Sequence, residues 1–65
     1  MKVSAKKLKA AMIKACMGNA ALAKAAHVGN ATVVRILHGD NEVQLSTVGK
    51  LSKALNVDFR EIVEE

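Results

Sequence analysis

An all-α fold of five short helices is predicted for this 65-residue chain, and three observations predict it. Alanine fills eleven positions and Lys and Arg together ten, all strong helix formers, whereas Pro, Trp and Tyr are absent and Phe59 is the sole aromatic. Apolar residues recur at spacings of three and four in several stretches, the period of a helix face rather than a strand. Gly, Asn and Asp punctuate those stretches without any long linker. So much of the 51% hydrophobic content is Ala that the core must rely on close approach of small residues. A chain of this length buries about 60% of its unfolded surface, enough for one core and a single domain over residues 1–65.

The elements follow in order. Ser4 is placed as an N-cap, with Val3 outside it positioned to staple onto Leu8. Leu8, Ala11, Met12, Ala15 and Cys16 then keep helical spacing until Met17-Gly18-Asn19 interrupts it. A second helix, capped by Gly18 or Asn19, runs to about Ala26 and buries Leu22, Ala23 and Ala26. His27-Val28-Gly29 breaks the pattern, and a third helix from about Asn30 to Leu37 turns Val33, Ile36 and Leu37 inward. Gly39-Asp40-Asn41 is the strongest turn signal, with Gly39 suited to a left-handed cap. A fourth helix, from Leu45 or Ser46 to Leu55, presents Leu45, Val48, Leu51 and Leu55 to the core and ends at Asn56. Asp58 and Glu61 form a capping box that opens a short last helix carrying Phe59, Ile62 and Val63.

Charge is distributed unevenly. Residues 1–39 hold seven basic side chains and no acidic one, while residues 40–65 hold three basic and all six acidic ones. The single Cys16 excludes an internal disulfide framework and reads as a small buried hydrophobe in a reducing cytoplasm. With His27 and His38 its only histidines, the chain offers no metal-ligand cluster, and no cofactor motif is present. No apolar run approaches the roughly 20 residues of a membrane span. Nothing supplies a nucleophile–base pair or convergent carboxylates, so no enzyme is expected.

Residues 19–38 meet the demands of a helix-turn-helix. That unit needs a small residue in the middle of its first helix, a turn residue tolerating positive φ, and apolar residues where the helices face each other. Ala23, the His27-Val28-Gly29 turn, and Leu22, Val28, Val33 and Ile36 supply them.

With those residues in place, the chain resembles the Cro/phage-repressor-like (XRE) helix-turn-helix family over nearly its whole length. The likeness rests on Leu22-Ala23, Ala26-His27-Val28, Thr32-Val33, and Arg35-Ile36-Leu37-His38-Gly39. It is closest over Leu45-Ser46-Thr47-Val48-Gly49-Lys50-Leu51-Ser52-Lys53-Ala54-Leu55-Asn56-Val57. The resemblance implies a compact five-helix, lambda-repressor-like domain that binds double-stranded DNA with its third helix in the major groove. Carried over, the base-contacting positions are Asn30, Ala31, Val34, Arg35 and His38, and the phosphate-contacting ones Asn19, Gly39 and Asn41. Arg35 can pair bidentately with guanine and Asn30 with adenine, whereas Ala31 and Val34 offer only apolar contact to a thymine methyl. Lys6 and Lys7 either reach the DNA backbone or belong, with Lys9 and Lys14, to a solvated helix face. His38 is either a DNA contact or an exposed helix-end histidine favoured by the dipole.

The chain departs from the family pattern in places. His27 stands where Gly is usual, and Gly18 and Gly29 stand where Ser or Thr caps are usual. Met12 and Leu37 replace an Arg–Glu pair, so an apolar contact between them is expected. The reading is a bacterial or phage-encoded cytoplasmic repressor, with Val57, Phe59, Ile62 and Val63 forming core or a homodimer interface. The alternative is a helix-turn-helix protein-interaction module such as an antitoxin or adaptor. Asp40 and Glu42 fit the DNA reading least, because they fall near the expected phosphate-contact loop.

Overall fold

Three of the helices end by the same device. The computed structural model describes residues 1–39 and 42–64, and within them lie α1 (Ala5–Lys14), α2 (Asn19–Ala26), α3 (Asn30–Leu37), α4 (Leu45–Leu55) and a 3₁₀ turn (Phe59–Glu61). At the ends of α1, α2 and α4, Cys16, His27 and Asn56 take left-handed φ values of 58°, 57° and 57°. The following amide then reaches back five residues: Met17 N–H to Met12 O, Val28 N–H to Ala23 O, and Val57 N–H to Ser52 O, at 2.9, 3.0 and 3.0 Å. These are Schellman closures, which satisfy carbonyls that the helix leaves without partners. Met17, Val28 and Val57, the residues after each left-handed position, pack against the core. Each closure therefore also turns the chain back onto the fold.

Two expectations are corrected. The first helix stops at Lys14 instead of carrying Cys16, and Cys16, placed at the left-handed position, is exposed. The fifth element is a 3₁₀ turn, although its predicted capping box is present: Asp58 accepts from Arg60 N–H, and Glu61 accepts from Asp58 N–H at 3.1 Å. Ser4 caps α1 through its side chain, accepting from Lys7 N–H at 3.2 Å.

The core collects residues from all four α-helices and from the segments that hold Val3, Val43, Ile62 and Val63. Val3, Leu8, Leu22, Val33, Leu51 and Ile62 have no measurable exposure, and Met12, Ala23, Ile36, Val48, Leu55 and Val63 pack with them. Ala23 in the middle of α2 is buried and α2 packs on both α3 and α4, so the small-residue demand of the helix-turn-helix is met. Met12 is in the core, Leu37 packs against it, and α1 lies on α3, so both members of the expected apolar pair turn to the same interior.

Besides Cys16, two residues expected inside are outside. Leu45 is 71% exposed. At 100° per residue it sits roughly 90° from the mean direction of Val48, Leu51 and Leu55, so an i, i+3 spacing placed it at the edge of the stripe, not in it. Phe59 is 43% exposed, being the first residue of a turn too short to bury a second face.

The N-terminal segment adds an arrangement that helical periodicity does not encode. Val3 bridges Val63 and Lys2 bridges Glu42, both antiparallel. Ser4 N–H donates to Ile62 O at 2.8 Å, Glu64 N–H to Lys2 O at 2.9 Å, and Val43 N–H to Met1 O at 2.8 Å. The segment thus ties the chain beyond α3 to the last residues.

Candidate nucleic-acid interface

The geometry of α3 follows from which of its side chains the core takes. Val33 and Ile36 are buried, leaving Asn30, Ala31, Arg35 and His38 exposed and Val34 half-buried. Those five positions fall at i, i+1, i+4, i+5 and i+8, one stripe along the helix. The stripe mixes an amide, a guanidinium and an imidazole with two small apolar groups. It can therefore hydrogen-bond the edges of guanine and adenine and touch a thymine methyl.

Helix ends add a second, sequence-independent element. The N-caps of α2, α3 and α4 are Gly18, Gly29 and Gln44, and none makes a side-chain capping bond. No acidic residue lies in the first turn of any of these helices. Apart from Thr32, whose N–H donates to Gly29 O at 3.0 Å, their leading N–H groups are not taken by a cap, and the positive end of each helix dipole is uncompensated, as suits a phosphate. By contrast, α1 and the 3₁₀ turn have their starts closed by the side chains of Ser4 and Asp58.

The other sequence-predicted positions divide. Asn19 is exposed at the first residue of α2. Gly39 follows α3 with φ 109°, and its N–H donates to Ile36 O at 3.2 Å. Asn41 lies outside the described residues, as does Asp40. Lys6 is exposed on α1. Lys7 is drawn elsewhere: its Nζ donates to Val63 O at 3.1 Å, so it fastens α1 to the C-terminal segment.

Residues beyond the expected set also join the face. A groove of about 210 Å³ beside α3 is lined by Thr32, Arg35, Glu42, Val43, Gln44 and Thr47, together with Ile36. Gln44 and Thr47 thereby share Arg35's surroundings, and the exposed Leu45 stands between them in sequence. A sequence signal existed for Gln44, a polar residue directly before the fourth apolar stripe. None existed for Leu45, whose spacing pointed inward. Glu42 is held by the N-terminal ammonium, at 3.2 Å from its Oε1, so its charge is partly neutralised beside Arg35.

Among the described residues no three His, Cys, Asp or Glu side chains come together as metal ligands, and no helix is long and apolar enough to cross a membrane. Comparison with protein families matches residues 6–62 to HTH_3, described as helix-turn-helix. No curated protein matches the chain.

Proposed function

Because the chain belongs to the Cro/C1-type helix-turn-helix (XRE) family, whose domains bind double-stranded DNA, we propose that it is a sequence-specific transcriptional repressor of phage or mobile-element type. The observation that carries this reading is the stripe on α3: Asn30, Ala31, Val34, Arg35 and His38 left on one side by the burial of Val33 and Ile36. In the major groove, Arg35 and Asn30 are the hydrogen-bonding readers and Ala31 and Val34 the methyl contacts. His38 lies at the far end of the stripe. The uncapped starts of α2 and α4, with Asn19 and Gln44, supply backbone donors to phosphates on either side. Gly39, Asn41 and Lys6 complete the phosphate set, with Lys7 contributing only if its bond to Val63 O is exchanged.

Repression proceeds by occlusion. Two copies read half-sites about 34 Å apart and exclude polymerase. Of the C-terminal segment, Ile62 and Val63 are used up in the protomer's own core, so Phe59 is the large apolar side chain left to meet a second copy.

Selection of duplexes from a random pool tests this reading, followed by affinity measured against salt. An enriched motif with two half-sites, and affinity falling steeply between about 50 and 200 mM salt, is the expected result. Recovery of no preferred sequence, or salt-independent binding, overturns it.

A further inference from the structure

On the surface formed by α1, α4 and the end of α2, three adjoining depressions make one groove. The largest, about 520 Å³, lies between the end of α2 and α4. It shares Ala54 with a second of about 340 Å³, which shares Lys14 and Val57 with a third of about 170 Å³. The groove's apolar lining is mostly small, with Met17, Ala54 and Val57 half-buried and Ala10 and Ala25 exposed beside them. The rim is basic: Lys7, Lys14, His27, Lys50 and Lys53 line it, and Glu61 is the single acid among the described residues. Among the described residues, none of α3 or of the connection leading to α4 contributes.

We infer that this groove is a docking site for an acidic amphipathic helix of a partner protein, engaged while α3 is on DNA. A lining of mostly small side chains lets a helix backbone approach closely, and an apolar strip flanked by cations is the complement of a helix with an apolar face and acidic flanks. Lys14, Lys50 and Lys53 make no ion pair among the described residues, so their charges are available. Among the described residues, a second copy is a poor source of the matching acids. Glu42 is held by the N-terminus, Asp58 by Arg60, and Glu61 by the Asp58 amide, and Glu64 is also engaged. Duplex DNA fits less well, since its phosphates could meet the cations of the rim but would leave the apolar strip between them uncovered. The salt-sensitive contacts of the rim then act on partner affinity and leave base preference alone.

Titrating the ¹⁵N-labelled chain with a designed peptide tests the proposal. The probe is a capped amphipathic helix of about four turns, with Leu at i, i+3, i+4 and i+7 and Glu on its flanks, compared with a twin carrying Lys at each Glu. The acidic peptide is expected to shift amides at Ala10, Lys14, Ala54 and Val57 and to spare Asn30–Leu37. Lys14→Glu with Lys53→Glu should weaken it by about tenfold and transfer preference to the Lys twin. Lys14→Gln with Lys53→Gln gives the milder loss should the reversal unfold the chain, as judged by its amide spectrum. Four results overturn the inference: no shifts with the acidic peptide, equal binding of the twins, displacement of the peptide by random-sequence duplex, or groove shifts that follow protein concentration alone.

Discussion

The amide of Val43 donates to the carbonyl of Met1 at 2.8 Å, and through this bond the N-terminus holds the chain that follows α3. The next residues of the same segment bond the far end of the molecule, Ser4 N–H to Ile62 O and Glu64 N–H to Lys2 O. Four residues thus connect the proposed reading face to the C-terminal segment, with Val3 fully buried between them.

Val3 should therefore matter far more than its charged neighbour. Val3→Ala removes two methyl groups from a closed site and is expected to cost about 2 kcal/mol. Lys2 uses only its carbonyl, which any residue retains, so Lys2→Ala should stay within about 0.5 kcal/mol. Urea midpoints for the two variants decide the matter; equal shifts would show that the segment is not part of the core.

His27 carries a second stability prediction. Its φ of 57° and ψ of 41° place a side chain where the Cβ crowds the backbone. His27→Gly should stabilise the fold by about 1 kcal/mol, raising Tm by roughly 4–8 °C in a domain of this size. Its imidazole is exposed and makes no cap bond that Gly would lose. A β-branched replacement, His27→Val, should lower Tm instead. Thermal melts of both variants that moved in the same direction would contradict the backbone argument.

These left-handed closures also explain what the sequence made legible. Asn56 and His27 were readable because polar side chains of these types are known occupants of positive φ; Asn56 marked the end of α4, and His27 with Gly18 and Gly29 marked the limits of α2 and the start of α3. Cys16 was not, because Cys has no such preference; the Schellman bond from Met17 to Met12 depends on Met17 reaching the core, a tertiary fact. The bridges of Lys2 and Val3 were invisible for the same reason, being pairings between residues about 40 and 60 apart in sequence. At the candidate site, Arg35 and Asn30 could be read from family resemblance. The diversion of Lys7 to Val63 O could not, since it needs the chain ends to be adjacent.

Asp58 and Arg60 give a pH dependence with a definite sign. Arg60 donates from Nε to Asp58 Oδ1 at 3.0 Å and from Nη2 to Oδ2 at 3.1 Å, and its backbone N–H adds a bond of 2.9 Å. Foremost the side-chain bond, then the backbone bond, lower the Asp58 pKa from 3.8 to about 2. The folded pKa lies below the unfolded one, so the contribution is complete above the unfolded value and lost as pH falls from 3.8 towards about 2. Arg60→Gln removes the guanidinium but keeps the backbone donor, so the Asp58 midpoint should rise part of the way to 3.8. A carboxyl ¹³C titration reads this directly, and an unmoved midpoint would mean the side-chain bond does not persist in solution.

Arg35 carries the most discriminating prediction about DNA. It is exposed on the α3 stripe and shares its groove with Glu42, Gln44 and Thr47. A bidentate pair with guanine contributes about 1–3 kcal/mol of discrimination, so Arg35→Ala should weaken the preferred site by that amount and relax preference at one base pair. Lys6→Ala, if its ammonium meets a phosphate, should instead weaken all sequences alike and reduce the salt slope by about one. Lys7→Ala should act on stability, through loss of the bond to Val63 O, more than on DNA affinity. Measuring affinity for the selected site and for random duplex at several salt concentrations separates the three. If Arg35→Ala weakens both duplexes equally, the guanidinium is a phosphate contact, and the assignment of α3 as the reading helix fails at its central residue.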